Sequence, residues 1–320
     1  MEPVPTHDNL DDLRVRGIRA LVPSACLIED VAGDSTVYES VALSRRDISH
    51  AVRGEDGRLL VVIGPVSVHD PLATLEYACK LATIQQTLRD DLIIVMRTFL
   101  DEPAGGAGYW SGAMYDPDLD GSFQINRGLK QARQLLLDVN RLGLPAGCLY
   151  CDTISPQFVA DLVSWSCISS YSAQSRLHRE LASGLSTPVG FVSIGEGCSA
   201  AELAIDAVRV AGAPHAFLSV SKQGVAGIVE TTGNIDCHPV LPPGDETVAH
   251  ACALLNAAGR AARVMVECPT SDAAIQVARD TRVFGLLLPS FLKGGAQVCV
   301  QRSYEMGFTT ACDGPPQLPH

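Results

Sequence analysis

Three side chains that could do chemistry lie at or near the ends of short apolar runs: Arg97, Tyr171 and Glu267. An arginine in this position can orient a carboxylate or a carbonyl group, or it can be a structural residue paired with a nearby acid. Tyr171 can donate a hydrogen bond to a substrate oxygen or fill space with its ring. Apolar surroundings raise the pKa of a carboxyl group such as Glu267 towards the range useful for general acid–base catalysis. We therefore predict these three as catalytic residues.

The apolar runs that would position these side chains alternate with helical patterns from residue 59 onward. Eight runs have the length and composition of strands, at 59–64, 92–97, 146–150, 167–171, 189–193, 216–221, 263–268 and 284–289. Amphipathic segments separate most of them, at 71–89, 123–142, 156–165 and 200–211. Parallel strands buried on both faces have this continuous apolar character. The sequence therefore predicts an α/β fold, a (β/α)8 TIM barrel with its chemistry at the carboxyl ends of the strands.

Two segments fall outside the repeat and suggest how the chain assembles. The predicted organisation is an N-terminal extension at 1–58, a barrel at 59–312 and a frayed, proline-rich tail at 313–320. A β-hairpin insertion is expected at 227–244, after the sixth strand. The extension and the hairpin resemble additions that build oligomers, so we expect a homodimer or a homotetramer.

Composition and charge narrow the class of partner. The 320 residues are 47% hydrophobic, and the net charge of −12 is spread along the chain without a basic block. This pattern argues against nucleic acid and membrane partners and favours a small molecule. The start of the chain lacks the pattern of a secretory signal, and we expect a cytoplasmic protein. The eleven cysteines are scattered through apolar segments and are expected to be reduced thiols.

Several longer runs carry a resemblance to a known family. These are LLVVIGP at 59–65, SFQIN at 122–126, HRELASGL at 178–185, AGAPH at 211–215 and Thr232-Gly233-Asn234. Over nearly its whole length the chain resembles the type I 3-deoxy-D-arabino-heptulosonate 7-phosphate (DAHP) synthases. The resemblance implies a TIM barrel that condenses phosphoenolpyruvate with erythrose 4-phosphate on a divalent metal.

The positions that the resemblance assigns to the metal ligands hold different residues here. The family's ligands are Cys, His, Glu and Asp, and the matching positions hold Val66, Thr270, Pro289 and Thr310. Valine and proline side chains offer no ligand atom, and two neutral hydroxyl groups do not make a divalent metal site. We therefore expect neither a metal nor another cofactor.

The positions that the resemblance assigns to phosphate binding have also changed. The family's cations are replaced by Glu102, Tyr171, Val192 and Pro242, an acidic position holds Leu149, and Arg97 remains. We predict a mostly apolar substrate site at the barrel mouth, formed by Val66, Arg97, Leu149, Tyr171, Val192, Ser193, Pro242, Thr270 and Pro289.

These replacements predict a DAHP synthase-like protein that is not a DAHP synthase. The expected function is a metal-independent enzyme of natural-product metabolism, a cyclase or lyase that rearranges an uncharged or largely apolar intermediate by holding it in a productive conformation. The alternative is a non-catalytic pseudoenzyme that serves as a scaffold or regulatory partner. An active DAHP synthase is the least favoured of the three.

Overall fold

Eight parallel strands close into a barrel in the structure, a computed structural model that describes residues 11–102, 110–193 and 197–289. The barrel strands are β1 (Leu59–Gly64), β2 (Leu92–Arg97), β3 (Ala146–Tyr150), β4 (Trp165–Ile168), β5 (Val189–Val192), β8 (Cys237–Leu241), β9 (Val264–Glu267) and β10 (Val283–Pro289). The last strand returns to the first, with Leu286 of β10 opposite Val61 of β1. The predicted TIM barrel is confirmed.

Two helices of the N-terminal extension precede the first barrel strand, and the other described helices follow strands. They are α1 (Ser24–Asp30), α2 (Ser35–Arg53), α3 (Pro71–Leu88), α4 (Ile125–Arg141), α5 (Pro156–Val159), α6 (Arg176–Gly184), α7 (Cys198–Ala211), α8 (Asp245–Ala257) and α9 (Ser271–Val277). The start of α3 shows how the sequence sets a boundary. The carboxylate of Asp70 accepts hydrogen bonds from the backbone N–H groups of Leu72 and Ala73, and Pro71 occupies the first turn.

The barrel is filled by side chains, and its base is closed by α2. Every residue of β1 and β2 is buried, as expected for strands covered on both faces. Ile48 and Ala51 of α2 pack in one buried cluster with Trp165 and Phe284 of the barrel interior. The extension therefore contributes directly to the core, and the chemistry is left to the opposite end of the barrel.

The sixth predicted strand was assigned wrongly. Residues 216–221 were expected in the barrel, but β6 (Ala216–Val220) pairs antiparallel with β7 (Ala226–Glu230) in a separate hairpin. The sixth barrel strand is β8, which pairs with β5 and lies within the range 227–244 predicted as the insertion. The hairpin itself is present, but it precedes the sixth barrel strand. Residues of β6 and β7 are exposed or half-buried, because the hairpin stands outside the barrel wall.

Other boundaries differ by a few residues. The strand predicted at 167–171 is β4, which starts at Trp165 and ends at Ile168. The helix predicted at 156–165 is shorter, because α5 gives way to a 3-10 turn at Ala160–Leu162. The predicted tail at 313–320 lies outside the described residues. Within the described ranges, no helix combines the length and apolar character needed to cross a membrane.

Candidate active site

The predicted site residues within the described ranges gather at the carboxyl ends of the barrel strands. Arg97, Val192, Glu267 and Pro289 are the last residues of β2, β5, β9 and β10. Leu149 is the second-last residue of β3. The others lie within three residues after the end of a strand: Val66, Tyr171, Ser193, Pro242 and Thr270. The structure therefore brings residues from all eight barrel strands to one mouth, which is where this fold carries its chemistry.

The guanidinium group of Arg97 is the buried cation of this mouth. The residue is 7% exposed, and its Nη2 donates a hydrogen bond of 3.0 Å to the carbonyl oxygen of Val66. Its Cζ lies 4.1 Å from the ring centroid of Phe99. Nε and Nη1 are buried without a hydrogen-bond partner among the described residues. Two nitrogen atoms of a desolvated cation are therefore left to donate hydrogen bonds to a ligand.

The backbone beside Arg97 is held close by a glycine. A Cβ atom on Gly64 would lie 2.6 Å from the carbonyl oxygen of Arg97 and 3.1 Å from its Cβ. Any larger residue at this position would push β1 and β2 apart at the mouth. Gly64, in the run LLVVIGP, therefore fixes the place from which the Arg97 side chain departs.

Glu267 shares the electrostatic environment of Arg97 without forming an ion pair with it. Burial raises the pKa of the Glu267 carboxyl above its usual value, and the positive charge of Arg97 opposes this rise. Burial also lowers the pKa of Arg97, while Cys167 and Glu267 act in the opposite direction. Within the part of the chain that the structure describes, Arg97 takes part in no salt bridge. Its charge is therefore only partly compensated from within the protein.

The apolar residues predicted for the mouth divide into buried and exposed groups. Leu149 and Val192 are buried, and both belong to the cluster that fills the barrel interior. Val66 is 59% exposed and Tyr171 is 71% exposed, in the loops after β1 and β4. A ring with that exposure does not fill the barrel mouth, so the structure does not support the space-filling alternative for Tyr171.

The remaining predicted residues have mostly structural contacts. Thr270 caps α9, where its hydroxyl accepts a hydrogen bond from the backbone N–H of Ala273 at 3.3 Å. The backbone N–H of Ser193 donates to the carbonyl oxygen of Val240 at 2.9 Å, continuing the ladder between β5 and β8. Pro242 and Pro289 are half-buried. Their role in binding a substrate stays a prediction.

The described residues at the positions expected for metal ligands do not fit a divalent metal ion. Val66 and Pro289 carry no ligand atom, and the hydroxyl of Thr270 is engaged in capping α9. Thr310 lies outside the described residues. Within the described ranges, no group of three or more His, Cys, Asp or Glu side chains is arranged to hold a metal.

The buried carboxyl group of Asp101 lies beside the mouth and was not singled out from the sequence. Asp101 is 1% exposed, and its Oδ2 accepts a hydrogen bond from the backbone N–H of Cys151 at 3.1 Å. The hydroxyl of Tyr115 donates to Oδ2 of Asp152 at 2.7 Å. Burial, with a smaller contribution from the charge of Asp152, raises the pKa of Asp101 to about 7. Asp101 follows β2 and Asp152 follows β3, so the two acids lie on different loops and no short motif joins them.

The same loop is held from the other side by a histidine. Nε2 of His178 lies 2.9 Å from the carbonyl oxygen of Cys151, and Nδ1 lies 3.0 Å from Oγ of Ser175. Burial raises the pKa of the Cys151 thiol well above its usual range. Because a thiolate is the reactive form, these surroundings do not favour Cys151 as a nucleophile.

Comparisons with known proteins give a consistent family. The model of the DAHP synthetase I family matches residues 38–303. The chain is 41% identical to the Phe-sensitive phospho-2-dehydro-3-deoxyheptonate aldolase of Escherichia coli K12, over 95% of this chain and 93% of that protein. It is 37% identical to the phospho-2-dehydro-3-deoxyheptonate aldolase of Haemophilus influenzae, over 95% of this chain and 90% of that protein.

A solved structure supports the same relationship. The phospho-2-dehydro-3-deoxyheptonate aldolase of Francisella tularensis SCHU S4 superposes with a TM-score of 0.85 at 30% identity. The match covers 92% of this chain and 99% of that one. Similarity therefore extends through the barrel and the segments around it.

These relatives overturn the functional expectation from the sequence. A metal-independent cyclase or lyase of natural-product metabolism was expected, with a pseudoenzyme as the alternative, and a phosphoenolpyruvate-dependent aldol transferase was excluded. That assignment is wrong, because relatives at 37% and 41% identity over 95% of the chain are named as phospho-2-dehydro-3-deoxyheptonate aldolases. The physical argument for an apolar substrate also fails at Arg97, whose buried and incompletely paired cation favours an anion.

Proposed function

The chain belongs to the DAHP synthetase I family, and on this basis we propose that it is a phosphoenolpyruvate-dependent aldol transferase that forms a phosphorylated 2-dehydro-3-deoxyheptonate. The named activity of its relatives supports the reaction class. The resemblance implies phosphoenolpyruvate and erythrose 4-phosphate as the substrates. Small phosphorylated molecules replace the apolar intermediate expected from the composition of the mouth.

The observation that carries this proposal is the state of Arg97. Its guanidinium group is 7% exposed, and its Nε and Nη1 are buried without partners in the described part of the chain. A desolvated cation costs free energy unless a negative charge neutralises it. Carboxylate and phosphate groups that accept hydrogen bonds from these two nitrogen atoms supply both the charge and the missing partners. Phosphoenolpyruvate carries both kinds of group.

Glu267 supplies a proton in the proposed reaction. The methylene carbon of phosphoenolpyruvate forms a bond to the aldehyde carbon, whose oxygen becomes a hydroxyl group and takes up a proton. Water then adds to the carbon that carries the phosphate, and phosphate leaves as that C–O bond breaks. One proton of the water restores the Glu267 carboxyl, and the other leaves with the phosphate. Because its pKa is raised by burial, the Glu267 carboxyl can hold the proton that the aldehyde oxygen receives.

The replaced cations set a limit on substrate affinity. Tyr171, Val192 and Pro242 occupy positions where the resemblance places arginine or lysine. None of these side chains neutralises a phosphate, so the binding of phosphoenolpyruvate through described residues rests mainly on Arg97. A high KM for phosphoenolpyruvate and a strong dependence on ionic strength are therefore expected.

The proposal is tested by product formation with purified protein. The protein is incubated with phosphoenolpyruvate and erythrose 4-phosphate, with and without Mn²⁺, and phosphate release and the sugar acid are followed by colorimetry and mass spectrometry. The expected result is stoichiometric formation of phosphate and product by the unaltered chain, and its loss in Arg97→Gln. Arg89→Gln is the control, since Arg89 is exposed and far along α3 from the mouth. Absence of product at high substrate concentration contradicts the proposal.

We further propose that the chain forms a homodimer or homotetramer through the hairpin. Leu218, Val225 and Ile228 are 84%, 64% and 74% exposed, and all three belong to the hairpin or its turn. Contiguous apolar surface of this kind favours association. Light scattering after gel filtration tests this proposal, and a monomer at micromolar concentration contradicts it. A cytoplasmic location and the exclusion of nucleic acid and membrane partners remain predictions.

A further inference from the structure

A second cationic cavity lies at the base of the barrel, at the end opposite to the mouth. Its volume is about 280 Å³. The lining comes from the end of α2, the start of β8 and the loop between α8 and β9: Val52, Arg53, Ile235, Cys237, His238, Pro239, Leu255, Gly259, Arg260, Ala261 and Arg263. We call this cavity the base pocket. A cavity of this size is near the lower end of those that hold small metabolites.

The charges around the base pocket do not balance. Arg53 forms a two-pronged ion pair with Asp236 at 2.7 and 2.9 Å, which neutralises one of the three arginines. Neither Arg260 nor Arg263 forms a salt bridge within the described ranges, and no acidic residue lines the pocket. Asp56, whose carbonyl oxygen Arg263 contacts, has its carboxylate engaged by Arg58. Two arginines of the lining therefore have no salt-bridge partner within the described ranges.

Burial acts on both of these cations. It lowers the pKa of Arg260 and of Arg263, and the more distant charges of Asp236 and Asp56 offset this only in part. The remaining titratable group of the lining adds no positive charge, because burial lowers the pKa of His238 to about 4. A bound anion would reduce the cost of holding two partly desolvated guanidinium groups in the lining of one pocket.

The hydrogen bonds of the two arginines leave donors available. Arg260 uses Nη2 for the carbonyl oxygens of Ile235 and Cys237. Arg263 makes two long contacts of 3.5 Å from Nη1, to the carbonyl oxygens of Ala51 and Asp56. Within the described residues, the other N–H groups of both side chains have no hydrogen-bond partner. The weakly held Arg263 can turn towards a ligand at little cost.

We propose that the base pocket binds a small organic anion with an oxyanion head group and an apolar body. The head group, a carboxylate or a phosphate, accepts hydrogen bonds from Arg260 and Arg263. The apolar body packs against Leu255, Ile235 and Pro239 on the other side of the cavity. The site is separate from Arg97 at the mouth and does not depend on the proposed reaction.

Calorimetric titration with phenyl phosphate, benzoate and inorganic phosphate tests this site. Arg263→Gln removes one cation, and Ala261→Phe fills the cavity without changing its charge. The expected effect is at least about tenfold weaker binding of phenyl phosphate or benzoate in both variants. Arg263→Lys retains the charge and is expected to retain most of the affinity. Thermal unfolding of each variant verifies that the barrel is intact.

Two controls separate the base pocket from other sites. Arg89→Gln removes an exposed arginine elsewhere, and Arg97→Gln removes the cation of the mouth. Binding at the base pocket survives both changes. The proposal is overturned if the unaltered chain binds neither aromatic probe, if binding is lost with Arg97→Gln and kept with Arg263→Gln, or if inorganic phosphate alone binds as tightly as phenyl phosphate. Stronger binding of phenyl phosphate than benzoate, or the reverse, identifies the preferred head group.

Discussion

Among the described residues, the guanidinium group of Arg97 donates a single hydrogen bond, from Nη2 to the carbonyl oxygen of Val66 at 3.0 Å. Val66 follows β1 and Arg97 ends β2, so this bond joins two neighbouring strands at the barrel mouth. It fixes the orientation of the guanidinium plane, and among the described residues Nε and Nη1 have no hydrogen-bond partner. These two nitrogen atoms can donate to separate oxygen atoms of an anion.

Replacement of Arg97 by methionine is expected to remove substrate binding and to stabilise the fold. Removing a buried, incompletely paired cation in favour of an apolar side chain of similar volume should stabilise the fold by on the order of 1 kcal/mol or more. The same change should abolish measurable affinity for phosphoenolpyruvate. Thermal unfolding and substrate titration measure the two effects, with Arg89→Met as the control. A destabilised protein that still binds phosphoenolpyruvate normally would show that Arg97 is a structural residue.

An arginine at position 171 is expected to strengthen the binding of phosphoenolpyruvate at the mouth. Tyr171 is 71% exposed, so an arginine fits there without repacking the core. Tyr171→Arg adds a charge-assisted partner for phosphate and should lower the KM for phosphoenolpyruvate by about fivefold or more. Leu43→Arg, on the surface of α2, adds the same charge elsewhere. An equal effect of the two substitutions would mean that net charge, and not the position, controls binding.

Asp101 predicts a specific dependence of stability on pH. Its pKa is raised to about 7, above the value of about 3.9 expected in the unfolded chain. Between these values the folded protein binds more protons than the unfolded chain, so the free energy of unfolding falls as pH rises through this window. The contribution of Asp101 to this fall is on the order of 2–4 kcal/mol.

Asp101→Asn removes this contribution while keeping an acceptor for the N–H group of Cys151. Urea unfolding between about pH 4 and pH 8 should therefore give a flatter profile for the variant than for the unaltered chain. Asp90→Asn, at a fully exposed position, is the matched control and should not change the profile. Parallel profiles for the Asp101 variant and the unaltered chain would show that Asp101 is already ionised in this range.

Asn234 is expected to be a main anchor between the hairpin and the barrel. Its Nδ2 lies within hydrogen-bond distance of the carbonyl oxygens of Ala182, Leu185 and Thr187, and its Oδ1 accepts from the N–H of Asp236. Asn234→Ala leaves these buried groups unpaired and should cost about 3 kcal/mol of unfolding free energy. Asn256→Ala, at an exposed position of α8, should change it little. Equal urea midpoints for the two variants would contradict this role.

Most of the fold followed from the pattern of apolar runs, and the exception has a physical cause. Residues 216–221 have the apolar composition of a buried strand. In the structure β6 pairs with β7 in a hairpin outside the barrel, and its residues are exposed or half-buried. The true sixth strand, β8, contains His238 and Pro239, and a proline argues against a central strand because it cannot donate to the ladder. In the structure Pro239 nevertheless lies within a barrel strand, where it is aligned with Phe191 of the neighbouring strand β5.

The site was located correctly in space, but its electrostatics could not be obtained from the sequence. The rule that chemistry lies at strand ends brought Arg97 and Glu267 to the same mouth. Whether Arg97 has an ion-pair partner depends on contacts between distant residues, and so does the burial of Asp101 near Asp152. The neutral replacements at the mouth suggested an apolar substrate. That interpretation did not take into account the buried charge of Arg97, which favours an anion.

The most direct test is a single-turnover reaction of the purified chain with phosphoenolpyruvate and erythrose 4-phosphate, followed by mass spectrometry. We predict that the phosphorylated 2-dehydro-3-deoxyheptonate and inorganic phosphate appear in equal amounts, and that Arg97→Gln removes both while Arg89→Gln does not. Unchanged substrates at saturating concentration, with an intact barrel shown by circular dichroism, would contradict the assignment of this chain as a phosphoenolpyruvate-dependent aldol transferase.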